Sequence, residues 1–272
     1  MAISLKFTKM HALGNDFVII DGVTQNIALS SSQIRKLSNR HTGIGFDQLL
    51  ILTPPKKPEW AFHCRIFNAD GLEVEQCGNG LRCVGRFAKE SGLIKSHSFY
   101  VSLKESLTHI ELLADGLVKV DLGRSLSQFN QSITVELDGL IRQAYFIHLG
   151  NPHCILFNNN IHEFELSLWG AALQTHPMFP NGANVSVVNC LARNHIEMRV
   201  YERGVGETQA CGSAACAAVI AGHLDNQLGN EAQVDLPGGL LSVKWRQSDE
   251  HIILTGPVKS VYQGHCVLSY NG

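Results

Sequence analysis

The strongest constraint on this chain is an internal repetition that keeps the same polar residues in the same order. Leu13-Gly14-Asn15 recurs as Leu149-Gly150-Asn151, an offset of 136, and an apolar stretch follows each copy. At the same offset Gln48, opening the stretch 49–52, answers to Asn184, opening 185–188. Ile66-Phe67-Asn68 followed by Glu75-Gln76-Cys77-Gly78-Asn79 matches Val200-Tyr201-Glu202 followed by Gln209-Ala210-Cys211-Gly212-Ser213, now at an offset of 134. In each half the cysteine lies nine positions after the polar residue, Asn68 or Glu202. Four matched positions, each beside the same kind of element, point to two homologous domains meeting along a pseudo-two-fold axis.

Short apolar runs bounded by Gly, Asn, Asp or Pro predict strands at 17–20, 49–52, 110–113, 118–122, 154–157, 185–188, 198–201 and 252–254. The N-terminal residues 1–6 also carry a strand-like pattern. Helices are predicted at 31–39 with Ser30 or Ser31 as N-cap, 78–91 stopped by Gly92, 163–176 ended by Pro177, and 212–224. Many strands and few helices make an α+β protein, here of two pseudo-symmetric domains.

Composition narrows the function. The formal charge is −2, from 22 Lys and Arg against 24 Asp and Glu, which lacks the basic excess of a protein for nucleic acid or anionic membranes. No apolar run approaches the roughly 20 residues that span a bilayer, and the N-terminus has no signal-peptide pattern. A cytoplasmic protein is expected, and the 8 cysteines are therefore expected as reduced thiols. Their spacing contains no C-x-x-C, so no metal site is expected.

Two of the cysteines stand apart. Cys77 and Cys211 each precede a glycine at the predicted start of a helix. Unpaired N–H groups and the positive end of the helix dipole favour a thiolate there, and the same N–H groups can hold a carboxylate. Cys64, Cys83, Cys154, Cys190, Cys216 and Cys266 are expected as small hydrophobes. Two matched thiols suit the inversion of a stereocentre, which needs a base on one face of a carbon and an acid on the other. Helix starts would stabilise the developing enolate, so no cofactor is expected.

The segments containing these residues resemble the diaminopimelate epimerase family of cofactor-independent, two-cysteine racemases and epimerases. They are residues 9–17, 40–48, 67–71, 75–83, 150–153, 182–185, 201–213, 237–239 and 255–257. The resemblance implies an isomerase that interconverts LL- and meso-2,6-diaminoheptanedioate in lysine biosynthesis and supplies a peptidoglycan precursor. Cys77 and Cys211 carry over as the thiolate–thiol pair. Gly78, Asn79, Gly212 and Ser213 carry over as backbone clamps on the reacting carboxylate. Asn15, Gln48, Asn68, Asn151, Asn184, Glu202 and Arg203 match positions that hold the rest of the substrate. That remainder is a second zwitterion, suited to a guanidinium and to amide or carboxylate acceptors. His153 and Glu202 match residues that tune the proton affinities of the cysteines. Tyr262 matches a homodimer contact. The family fold implies mixed and antiparallel strands around a central helix in each domain, an N-terminal domain of residues 1–118 plus 257–272, a C-terminal domain of 119–256, and an active site in the cleft between them.

Other readings stay open at this point. A two-cysteine proline or hydroxyproline racemase would keep both thiols but would not need Glu202-Arg203. A cysteine-less relative is disfavoured by the two thiols, and a non-catalytic amino-acid-binding module would hold them inert.

Overall fold

The computed structural model describes residues 2–124 and 131–269. In chain order the elements are β1 (Ala2–Ala12), β2 (Asn15–Asp21), α1 (Ser31–Ser38), β3 (Gln48–Thr53), β4 (Phe62–Asn68), β5 (Glu73–Val74), α2 (Gly78–Glu90), β6 (Ser98–Ser102), β7 (Leu107–Leu112) and β8 (Val118–Arg124). There follow β9 (Gln131–Leu137), β10 (Leu140–His148), β11 (Pro152–Phe157), α3 (Leu166–Leu173), β12 (Asn184–Ala192), β13 (His195–Glu202), β14 (Gly206–Thr208), α4 (Gly212–Leu224), β15 (Glu231–Leu236), β16 (Gly239–Arg246), β17 (His251–Gly256) and β18 (Lys259–Ser269). The protein is α+β, and it divides into one unit of Met1–Val120 with Gly256–Gly272 and a second of Asp121–Thr255.

In the first unit β18 pairs with β1, and β1 with β2, both antiparallel. β2 runs parallel to β3, β3 antiparallel to β4, β4 parallel to β6, and β7 antiparallel to β6 and β8. The second unit repeats this: β9, β10 and β11 antiparallel, β11 parallel to β12, β12 antiparallel to β13, β13 parallel to β15, then β16 and β17 antiparallel. β5 and β14 are short hairpin partners of β4 and β13. The repetition reaches the register. Phe17 lies opposite Gln48 as His153 lies opposite Asn184, and Leu49 opposite Phe67 as Val185 opposite Tyr201.

Each parallel pair needs a crossover: α1 joins β2 to β3, α2 lies between β4 and β6, α3 joins β11 to β12, and α4 lies between β13 and β15. Ser30 caps α1 through a capping box with Gln33. Ile34 and Leu37 of α1 bury against Val18, Ile20, Leu49 and Ile51, each full burial contributing about 1.5–3 kcal/mol. The opposite face of the same strands belongs to α2, which packs on β1, β2, β3 and β7. With both faces covered, β2 and β3 read as unbroken apolar runs. In the second unit α4 packs on β10, β11, β12, β15 and β16 and is buried almost all round, consistent with its Ala-rich sequence.

Two expectations need correction. The helix expected at 163–176 is shorter, Leu166–Leu173. Glu165 supplies no side-chain cap, and Gln174 ends the helix while its amide reaches Gly170 O and Ala183 O. The expected strands omitted β4, β5, β6, β9, β10, β14, β15, β16 and β18. Of these, β6, β9, β15 and β16 largely alternate buried residues with more exposed ones instead of forming apolar runs, as strands covered on one face do.

α3 approaches β13 so closely that a Cβ at Gly170 would lie 2.3 Å from Tyr201 Cγ. Gly170→Ala should therefore destabilise the protein by about 1–3 kcal/mol through overpacking, against the gain of about 1 kcal/mol that Ala brings to an open helix site. Urea denaturation measures the difference, and a more stable variant would contradict the tight contact.

Candidate active site

In the first unit the polar residues gather at one end of β2, β3 and β4 and at the start of α2. Leu13 and Gly14 both have positive φ, 56° and 90°, as a two-residue hairpin turn requires, and they deliver Asn15 to the first position of β2. Asn15 Nδ2 donates to Asp47 Oδ2 at 2.8 Å, and its Oδ1 accepts from Asn79 Nδ2 at 3.2 Å. The Asp47 carboxylate also accepts from Asp16 N–H at 3.0 Å. Arg40 forks onto Asp16 at 2.8 and 2.7 Å and reaches Asp47 at 2.9 Å. The buried Lys9 bonds Asp16 and Gly45 O. Burial works to raise the Asp16 carboxyl, but Arg40, Lys9 and Asp47 outweigh it and hold the group well below the usual carboxylate range.

Beside this network Gln48 Nε2 donates to Asn68 Oδ1 at 2.8 Å, and Gln48 Oε1 is buried with no partner among the described residues. Cys77 is the N-cap of α2, half-buried, and its Sγ accepts from Gly80 N–H at 3.4 Å. Gly78 and Asn79 supply the first N–H groups of the helix, for which the helix itself has no acceptors.

The second unit builds its site differently. Pro152 and Ala183 stand where the first half has Asp16 and Asp47, so neither the N–H nor the carboxylate that anchors Asn15 exists there. His153 Nε2 instead lies 3.0 Å from Asn151 Oδ1. His153 is fully buried; burial, then the nearby His148 and Arg203, push its imidazole down to about 3. It is neutral at physiological pH and meets Asn151 through a hydrogen bond and not a charge. The buried Asn184 accepts the Arg203 N–H at 2.9 Å, and the exposed Arg203 guanidinium donates to Asn181 O at 3.0 Å.

Cys211 is the N-cap of α4 and is only 7% exposed. Burial, with the Glu202 carboxylate beside it, pushes its thiol well above the ordinary value; the Ser213 hydroxyl at 3.4 Å and the Ala214 N–H pull the other way. The helix start therefore does not by itself make this cysteine acidic. Thr208 Oγ1 donates to Glu202 Oε1 at 2.5 Å.

The structure thus brings Asn15 to Asn79 and Gln48 to Asn68 in one unit, and Asn151 to His153, Asn184 to Arg203, and Glu202 to Cys211 in the other. Tyr262 lies elsewhere, on β18, 47% exposed and edge-on to Phe7. None of the eight cysteines is in a disulfide; Cys64, Cys83, Cys154 and Cys216 are buried, and Cys190 and Cys266 are half-buried. Among the described residues no three His, Cys, Asp or Glu side chains gather as a metal-binding group. No helix among them is long and apolar enough to cross a membrane. Sequence reasoning passed over Asp16, Arg40, Asp47 and Thr208, although all lie within the motif segments.

Two α+β units, each with a cysteine at the N-cap of a buried helix, define a structural class. Three solved structures share the fold. A phenazine biosynthesis protein of the PhzF family from Bacillus anthracis matches at a TM-score of 0.72 and 14% identity, covering 98% of this chain and 100% of its own. A hydroxyproline epimerase from Agrobacterium vitis matches at 0.72 and 14%, covering 97% and 93%. A probable proline racemase from Agrobacterium radiobacter K84 matches at 0.71 and 14%, covering 98% and 94%. Within that class the sequence matches the diaminopimelate epimerase family over residues 7–126 and 145–261, and the chain belongs to that family.

The Asp16 network predicts a pH dependence of stability. A carboxyl held below its unfolded value contributes fully above about pH 4 and loses that contribution as the pH falls toward the folded value. Asp16→Asn should cost about 1–3 kcal/mol near neutrality, discounted for the exposed Arg40 partner. The deficit should shrink below about pH 4. Denaturant melts across pH would show this, and a deficit constant from neutral to strongly acid solution would refute it.

Proposed function

We propose that this protein is a diaminopimelate epimerase, interconverting LL- and meso-2,6-diaminoheptanedioate in lysine biosynthesis, with Cys77 and Cys211 as base and acid. One observation carries the reading. The two halves are equivalent at their helix-capping cysteines but not at the polar positions around them. Asn68 and Ala69 of the first half answer to Glu202 and Arg203 of the second. A substrate with one reacting centre and a separate zwitterionic end suits that asymmetry, whereas a substrate such as proline has no second charged end to use it.

In the reaction one sulfur, as thiolate, takes the α-proton and forms an S–H bond. The C–H electron pair moves into the enolate of the adjacent carboxylate. The other thiol gives its proton to the opposite face of the carbon and becomes the thiolate. N–H groups of Gly78, Asn79, Gly212 and Ser213 stabilise the enolate oxygens. Arg203 holds the distal carboxylate, supported by Asn151 and Asn184. Glu202 and the open Gln48 Oε1 are acceptors for ammonium hydrogens, beside Asn15 and Asn68. Base, acid and charge stabilisation all come from the chain, so the proposed reaction uses no cofactor. Tyr262, with the exposed Val261 and Val267 on the same strand, is assigned to a homodimer contact.

Incubation of purified protein with the LL isomer in deuterated water tests the reading. Meso product carrying α-deuterium is expected, and the absence of both removes it. Turnover of proline in place of the LL isomer would favour the racemase alternative. Cys77→Ala and Cys211→Ala should each lower kcat by about 10²–10⁴-fold.

Arg203→Ala should cost about 2–5 kcal/mol in kcat/KM. Steady-state kinetics on the LL isomer would check this, and an unchanged kcat/KM would reassign the arginine.

A further inference from the structure

Equivalent cysteines need not have equivalent neighbours, and the hairpins beside them differ at two paired positions. Val200 lies opposite Thr208 across β13 and β14, as Ile66 lies opposite Val74 across β4 and β5. Thr208 therefore answers to Val74, and Glu202 to Asn68. In the first half the Asn68 amide is neutral and tied to Gln48 at 2.8 Å, and Val74 has no hydroxyl. In the second half the Thr208 hydroxyl commits its proton to Glu202 Oε1 at 2.5 Å, a short charge-assisted bond. Glu202 is a side chain with several rotatable bonds, so one orientation must be enforced by a partner. Thr208 is β-branched, stiff at χ1, and placed in β14, which makes it a suitable clamp. The groups that act on Cys211 are the Glu202 carboxylate from β13 and, from α4, the Ser213 hydroxyl and the Ala214 N–H.

We propose that Thr208 is a positioning residue: its hydroxyl holds the Glu202 carboxylate against Cys211, where the other half has Val74 and the neutral Asn68. The inference rests on the proposed pairing of Cys77 and Cys211 in one reaction, to which it adds what holds the carboxylate beside Cys211. The carboxylate favours the protonated sulfur, so Cys211 waits as the thiol.

The test is iodoacetamide alkylation of the full chain at stepped pH, with Cys77 and Cys211 peptides quantified separately and each normalised to its high-pH plateau. Thr208→Val is near-isosteric and installs the residue of the other half. It should move the Cys211 profile to lower pH by about one unit, a tenfold change in thiolate at fixed pH. Thr208→Ser keeps the hydroxyl and should retain a profile near wild type. Glu202→Gln should give the same shift as Thr208→Val, and combining the two should add nothing further. The Cys77 profile should stay in place throughout. An unmoved Cys211 profile in Thr208→Val would overturn the proposal. So would equal shifts at both cysteines, or a Thr208→Ser protein that behaves like Thr208→Val, since either marks a general structural role. Alkylation reads the thiol and not turnover. A protein inactive on LL-2,6-diaminoheptanedioate would end the substrate reading while leaving this coupling decided by its own result.

Discussion

The first turn of a helix buried within its unit poses a problem that the rest of each half is arranged to meet. N–H groups there have no intrahelical acceptors and cannot be left dry without cost. Both halves place a cysteine at the N-cap of such a helix, at α2 and α4, and follow it with small residues. At α2 the sulfur itself accepts the Gly80 N–H. The remaining donors, together with the dipole, create a position where negative charge is welcome. Strand ends bring polar residues to these helix starts: Asn15, opening β2, accepts from Asn79 of α2, and Glu202, closing β13, acts on Cys211 at the start of α4. The site is thus a consequence of how a central helix is housed.

Duplication supplied two copies of that solution, and the copies then diverged in the means of orienting their side chains. An asparagine amide presents a donor on one side and an acceptor on the other, so its orientation decides what it can recognise. Asn15 is turned by a carboxylate, Asp47, anchored in turn by Asp16, Arg40 and Lys9. Asn151 is turned by an imidazole that burial keeps neutral. Pro152 and Ala183 remove the first arrangement from the second half as surely as His153 introduces the other. The same divergence puts Glu202 and Thr208 beside Cys211 where the first half has Asn68 and Val74.

Much of this was legible before any coordinates. The repeat, the starts of α2 and α4, and the α+β class follow from local signals: matched spacing, glycine after cysteine, and apolar runs. Strands buried on both faces announced themselves, β2 and β3 above all. Half-covered strands such as β15 and β16 did not, because their apolar residues alternate with charged ones and form no run. The third helix was overextended because Pro177 suggests a stop, whereas Gln174 ends the helix earlier by bonding to Ala183 O across a loop. Arg40, Asp47 and Thr208 passed as ordinary motif residues, since nothing local marks the partners that they acquire.

By itself the sequence determined that two like halves each carry a cysteine at a helix start, because capping and periodicity act over a few residues. Only the tertiary structure decided the proton affinities and the amide orientations. Asn15 meets Asp47 and Asn79 across 32 and 64 residues. Cys211 meets Glu202 across the turn-back of the β13–β14 hairpin, and its exposure of 7% is set by every element around it. Burial and proximity to charge are properties of packing, and they outweigh the local preference of a helix start.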